Sequence, residues 1–338
     1  MKRDSSVRYH LKNERAKYSY RAHMRRALKK DEKTLLAALK HLREFEQFTG
    51  FEDFARFNDR VADKYVQCLM DEGKSLSHIG DNLRSLKEFL RWLERQKGYK
   101  RSLNYNHIDY LNISDNQRRT AKASQYKRSY TYPQILATIR AMPHRTPTDK
   151  RNRAMISLQA LCGLRISELR TVKLKNLIEE DGHYFIYVNP KDMSVKYAKI
   201  RHANFMPLPG DIVEHVLTWR DDLRKQGFTD KDPFFPKISS SFSQANLFET
   251  RLTHDEIRSN TTIKNIFQAA FAAAGHEYLR VHSFRHTIVR FAERQSPEFL
   301  NAVRQALGHS SIDTTFQSYG ALSEHDQRER IAGLRLEW

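Results

Sequence analysis

Apolar residues return at a helical period through the first third of the chain and seldom alternate. From Asp31 onward, Leu35, Leu39, Leu42 and Phe45 recur near every 3.6 residues, which predicts an amphipathic helix. The turn signal TGFEDF closes it. A second helix is predicted from about Asp59 to Met70, ending in DEGKS. A third runs from about Leu76 to Gln96 with Ile79, Leu83, Leu86, Leu90 and Leu93 as its apolar stripe. A shorter piece covers HIDYL. The pattern describes an all-helical unit over residues 31–117, preceded by a polar, basic extension over residues 1–30.

The periodicity lapses in SDNQRRTAKASQYKRSYTYP, which is rich in Arg, Lys and Ser. A basic linker and domain boundary are placed at residues 118–130. Beyond it, helices are predicted from Tyr132 to Met142 and from Asp149 to Cys162. YFIYVN then reads as a strand, with YAKIRHANFMPLP as its partner. A helix follows from Pro209 to Lys225. SSSFSQANLFETRLTHDEIRSN is hydrophilic and irregular, the pattern of a surface loop or insertion. TTIKNIFQAAFAAAG is a helix with a glycine stop. Helices over Ser283–Arg294, over Pro297–Leu307 and from Ser311 onward complete a second domain, residues 131–338. The expected fold is mainly α, with a small β-sheet or hairpin in the second of two domains.

Charge narrows the partners. The 338 residues carry a formal net charge of +19 and 39% hydrophobic residues, the balance of a globular protein that meets a polyanion. Residues 1–130 hold 30 Lys/Arg against 17 Asp/Glu, and residues 131–338 hold 29 against 23. The first part therefore supplies much of any non-specific, salt-sensitive attraction to nucleic acid. No apolar run approaches the ~20 residues that span a bilayer, and the first residues lack the apolar core of a signal peptide. Cys68 and Cys162 make neither a disulfide framework nor a metal set, and a reducing compartment suits them. There is no CxxC, HExxH or P-loop pattern, so no metal and no cofactor is expected.

Three stretches carry candidate chemistry. In CGLRISELR, Arg165 follows Gly163 at a helix break, and Glu168 lies three residues on, able to orient the guanidinium. Taken alone, such a pair is the pattern of a surface salt bridge. In VHSFRHTIVRF, His282 and Arg285 share a helical face by their i, i+3 spacing, a ready anion site or a solvated basic face. In LGHSSIDTTFQSYG, Gly308 ends one helix, His309 falls in the turn, and Ile312, Phe316 and Tyr319 lie at i, i+4 and i+7 of the next. A tyrosine on such an apolar face is most simply a core residue with its hydroxyl satisfied.

Taken together, GLRISEL, HSFRHT and LGHSSIDTT…Y resemble the motifs of the tyrosine recombinase (phage integrase) family, in order and at its spacings. The resemblance covers about Tyr130 to Trp338. The helical unit before it is similar to the family's core-binding, SAM-like DNA-binding domain only in helix pattern and position. The resemblance implies a two-domain clamp on duplex DNA. It implies Tyr319 as nucleophile, forming a 3′-phosphotyrosine and freeing a 5′-hydroxyl. A phenol of pKa ~10 needs help at neutral pH. Arg165 and Arg285 would clamp the non-bridging oxygens, His282 would move the tyrosine's proton and His309 would hydrogen-bond the phosphate. Glu168 would steady Arg165. The family's general acid is a lysine on a β-hairpin. Lys191, Lys196 and Lys199 are candidates, and Lys199, eight residues before Pro207, matches the family's spacing best. The hairpin looks longer than usual, and Tyr319 follows His309 by ten residues where many members have nine.

The expected assembly is a homotetramer on two DNA sites that passes through a Holliday junction. Accessory DNA-bending proteins are compatible partners, and the setting would be the nucleoid of a bacterial cytoplasm, the gene being bacterial or phage-borne. The apolar tail residues Ile331, Leu334, Leu336 and Trp338 would pack on their own domain or in a neighbouring protomer. Two rivals stay open: a type IB topoisomerase-like or telomere-resolving enzyme with the same chemistry, and a DNA-binding protein of the same fold that has lost catalysis.

Overall fold

Many of the helices start where a short polar side chain reaches the free N–H groups of the first turn. A computed structural model describes residues 9–122, 128–195, 199–242 and 248–308. The chain divides into two compact units, Met1–Ala123 and Ser124–Trp338.

In the first unit the helices are α1 (Leu11–Arg26), α2 (Glu32–Phe48), α3 (Asp59–Asp71), α4 (Leu76–Leu93), α5 (Tyr105–Ile108) and α6 (Asp115–Lys122). Asp31, Asn58 and Ser75 cap α2, α3 and α4 through their side chains. The apolar stripes meet in one core. Leu35, Leu42 and Phe45 from α2 pack with Leu83, Leu86, Phe89 and Leu90 from α4, all essentially buried. Phe45 lies edge-on to Tyr65 at 5.0 Å, and Phe54 edge-on to Phe89 at 4.9 Å, a favoured aromatic geometry.

Residues 11–26, expected as a basic extension, instead form α1 and enter this core. Its buried positions, Asn13, Ala16, Lys17, Tyr20 and Met24, keep helical spacing, but two of them are polar. They are satisfied by the buried Glu46: Asn13 Nδ2 donates to Oε1 at 3.2 Å and Lys17 Nζ to Oε2 at 2.5 Å. A buried charge is tolerated when it is paired in this way. The polar lining hides the stripe from a search for apolar periodicity. Likewise α6 occupies the end of the unit and the first residues of the expected linker.

The second unit is built around α8 (Pro147–Cys162), whose residues from Ala154 to Cys162 are all buried. A helix buried all round is one that neighbours cover on every side. Around it lie α7 (Tyr132–Ala141), α9 (Ile166–Thr171), α10 (Gly210–Lys225), α11 (Asn260–Ala273), α12 (Ser283–Glu293) and α13 (Pro297–Leu307). An antiparallel sheet in the order β1 (Leu177–Glu180), β2 (His183–Val188), β3 (Arg201–Asn204) packs beside it. The two expected strands are β2 and β3, and β1 is added. Ile186 pairs with Ala203 and Val188 with Arg201, so Arg201 occupies an inward position of the alternation.

The segment expected as an irregular loop contains a hairpin, β4 (Pro236–Phe242) and β5 (Phe248–Glu256), antiparallel with a register shift between Pro236 and Ile238. Backbone pairing defines this ribbon. Ser239, Thr250 and Arg251 are exposed, and Leu252 reaches the core. With both faces largely wet, the sequence has no reason to alternate.

Candidate active site

Arg165 owes its position to a glycine. Gly163 ends α8 with φ 54° and ψ 47°, left-handed values that a side chain disfavours. A Cβ there would stand 2.7 Å from Ile288 Cδ1 and 3.2 Å from Arg285 Cγ, so the turn lies directly on α12. Gln159, fully buried, donates to the carbonyl of Leu164 at 2.9 Å and holds the turn from below. Arg165 then caps α9, with its side chain 19% exposed.

Glu168 is the hub. It is completely buried, accepts from the Arg165 N–H at 2.8 Å, and accepts from Arg165 Nη1 at 3.1 Å. The expected Arg–Glu pair is therefore not a surface bridge. A second guanidinium completes it. Arg201 Nη1 donates to Oε1 at 3.0 Å and Nη2 to Oε2 at 2.6 Å, the planar two-point match of guanidinium to carboxylate. Burial by itself would raise the carboxyl's pKa. The hydrogen bonds and charge of Arg201, with the Arg165 N–H and charge, outweigh burial and hold it below the ordinary range.

Arg285 is buried, 1% exposed, on α12. Its Nη1 donates to the Gly163 carbonyl at 2.6 Å and its Nη2 to the Leu307 carbonyl at 2.8 Å. Aromatic packing seats the helix: Phe284 lies against Tyr130, Phe267 and Phe271, with Tyr130 stacked on Phe271 at 4.2 Å. His282, expected beside Arg285, sits at the N-terminal cap of α12 and is exposed, its ring edge-on to buried His286 at 5.1 Å.

Two arginines thus meet the last carbonyls of α13. Arg201 Nε donates to Ala306 at 2.9 Å, next to the Arg285–Leu307 bond. The terminal carbonyls of a helix lack intrahelical partners and carry partial negative charge, so cations settle there. Gly308 follows in a left-handed conformation, φ 75°, against the Arg201 stem.

Around Cys162, Arg201, Glu168 and Arg285 lie close enough to act on the thiol, and burial pushes that thiol's pKa well up, so it stays neutral. Among the described residues, Glu168 is the carboxylate that pairs with Arg165 and Arg201, and Arg285 lies nearby on backbone carbonyls. Arg201 escaped sequence reasoning. The signal was its place, an arginine at an inward position of β3, on the face that buries Ala203 and pairs with the buried Ile186 and Val188 of β2.

Of the lysines, Lys191 is exposed just after β2, and Lys199 is exposed two residues before β3. Ser194 N–H bonds Thr171 Oγ1 at 2.8 Å and ties the intervening connection to the end of α9. Lys196, His309, Tyr319 and the apolar tail residues lie outside the described residues. Among the described residues, no group of three His, Cys, Asp or Glu is placed to hold a metal ion, and no helix is long and apolar enough to cross a membrane.

Comparison with known proteins gives a consistent picture. The family model described as the phage integrase family matches residues 126–325. The tyrosine recombinase XerC of Lactobacillus delbrueckii subsp. bulgaricus is 27% identical over 308 residues, covering 90% of each chain. Transposase B of transposon PsiTn554 from Staphylococcus aureus is 28% identical over 159 residues, 46% of this chain and 22% of that one. Among solved structures, the XerH site-specific recombinase bound to a palindromic difH substrate is similar with a TM-score of 0.64 at 18% identity, over 88% of this chain and 78% of that one. A lambda integrase dimer on a COC′ core site gives 0.61 at 15% identity, over 92% and 96%. These two likenesses show the fold.

Proposed function

This chain belongs to the phage integrase family, the tyrosine recombinases, which break and rejoin DNA, and from that premise we propose that it is a site-specific recombinase with Tyr319 as nucleophile. The observation that carries the reading is the cluster of Arg165, Arg201 and Arg285 at the turn after α8. Arg165 and Arg201 share the buried carboxylate of Glu168, and the buried guanidinium of Arg285 lies on the carbonyls of Gly163 and Leu307 beside them, so among the described residues three cations gather here around one carboxylate. A phosphodiester brings one negative charge, and its five-coordinate transition state brings two. The second is stabilised more than the first, which is the condition for lowering a barrier.

The steps follow. Arg165 and Arg285 hold the non-bridging oxygens. The Tyr319 oxygen attacks phosphorus, its proton passing to His282, while the bond from phosphorus to the 5′ oxygen breaks. Lys199 gives that oxygen a proton, and a 3′-phosphotyrosyl ester remains. His309 donates a hydrogen bond to the phosphate. Rejoining is the reverse, with a 5′-hydroxyl of the exchanged strand attacking and tyrosine leaving. The ester keeps the energy of the broken bond, so resealing needs no other source.

The two units would clamp duplex DNA, with the basic first unit contributing phosphate contacts. Four protomers on two sites would exchange strands through a Holliday junction, assisted by DNA-bending proteins where the site requires them, in the cytoplasm at the nucleoid. The C-terminal tail would dock on its own domain or on a neighbour. The test is an exchange assay with two duplexes of different flanks. Recombinant products should form with the wild-type protein and vanish with Arg165→Ala. Relaxation of supercoils without new partners would mean a nicking and resealing enzyme instead.

A further inference from the structure

We infer that Arg201 is a positioning residue of the cleavage site, tying the carboxylate that steadies Arg165 to the end of the helix that leads into His309. This role rests on the reading above, in which Arg165 and His309 meet the scissile phosphate.

The geometry is specific to a guanidinium. All three of its nitrogens are used, on two separate elements: Nη1 and Nη2 on the two oxygens of Glu168, and Nε on the carbonyl of Ala306. The side chain is 5% exposed and its carboxylate partner 0%. Gly308 leaves room for it. A Cβ there would stand 2.8 Å from Arg201 Cδ and 3.3 Å from Nε, in a backbone conformation of φ 75° that already favours glycine.

Arg201 therefore sits where three candidate groups depend on one another. Through Glu168 it fixes Arg165. Through Ala306 it fixes the chain three residues before His309. It also opens β3, two residues after Lys199. Arg285 makes a parallel tie between the carbonyls of Gly163 and Leu307. A lysine at 201 would keep the charge and lose the fork, since an ammonium is a point charge on a flexible stem. Displacing a reacting group by about 1 Å can cost about 100-fold in rate.

The test uses the full-length protein and a nicked duplex that the wild type selects from a randomised pool. Single-turnover adduct formation, duplex affinity and thermal stability are measured for Arg201→Lys, for Arg201→Met and for the neutral pair Glu168→Gln/Arg201→Met. Arg201→Lys should bind the duplex within about threefold of wild type and form the adduct about 100-fold more slowly. The neutral pair should regain stability lost in Arg201→Met without regaining the rate. A merely structural residue would recover rate along with stability. Wild-type rates in Arg201→Lys or in the neutral pair, beside an inactive Tyr319→Phe, would overturn the role of Arg201 alone. An adduct formed by Tyr319→Phe would instead overturn the assignment of the site, and this role with it.

Discussion

Arg285 reaches from α12 to the carbonyl of Gly163 at 2.6 Å, so the residue before the Leu164–Arg165 step is anchored by another candidate catalytic arginine. The contact exists because position 163 has no side chain. Ile288 Cδ1 already occupies the space 2.7 Å from where a Cβ would stand.

Gly163→Ala should therefore be costly. The left-handed backbone and the overpacking against Ile288 together predict a loss of about 2–4 kcal/mol in denaturant unfolding of the second unit. Cleavage should fall as well, because Arg165 and Arg285 both hang on this turn. Unchanged stability would show that α12 can move away freely.

Glu168→Gln removes the charge that two guanidiniums share. Breaking a buried pair by changing one partner costs about 3–5 kcal/mol. The pH dependence has a definite sign. The folded carboxyl titrates below its ordinary value near 4.5, so its stabilisation is complete above that value and is lost as pH falls from there through the folded pKa. Unfolding followed against pH should show Glu168→Gln less stable near neutrality and less acid-sensitive than wild type.

His215 gives a second, separate acid response. Burial, and then the charge of Arg153, push its pKa down from 6.5 to about 4. The unfolded chain binds the proton first, so the wild type should lose stability as pH falls from about 6.5 towards 4. His215→Gln should flatten that window while leaving the slope at lower pH. An identical slope in both proteins would place His215 in water.

Lys199 is tested by the leaving group. If it protonates the departing 5′ oxygen, Lys199→Ala should slow cleavage by about 100-fold or more. A 5′-bridging sulfur leaves as a thiolate without needing that proton, and should restore most of the rate. Restoration in Lys191→Ala, with none in Lys199→Ala, would move the role to Lys191.

Much of the fold follows from periodicity. Ile79, Leu83, Leu86, Leu90 and Leu93 are all buried along α4 as their spacing demands, because the face they line is apolar apart from Asn82. α1 was hidden because its buried face includes Asn13 and Lys17, matched to Glu46 across some thirty residues of sequence that no local pattern connects. The β4–β5 ribbon was hidden because backbone bonds define it. In the candidate site, Arg165 with Glu168 was legible from a three-residue spacing. Arg201 was not, since its partner lies 33 residues away and is fixed by strand register. Tertiary pairing of polar groups leaves little trace in hydrophobic pattern.

The central claim is that Tyr319 becomes covalently joined to DNA, and the most direct measurement is the attachment point itself. The wild-type protein is incubated with suicide duplexes nicked near the cleavage position, the adduct is isolated under denaturing conditions, digested, and the modified peptide is sequenced by mass spectrometry. A 3′-phosphoryl nucleotide on Tyr319 is expected, with no adduct from Tyr319→Phe. Attachment at another residue, or an adduct that survives Tyr319→Phe, would contradict it.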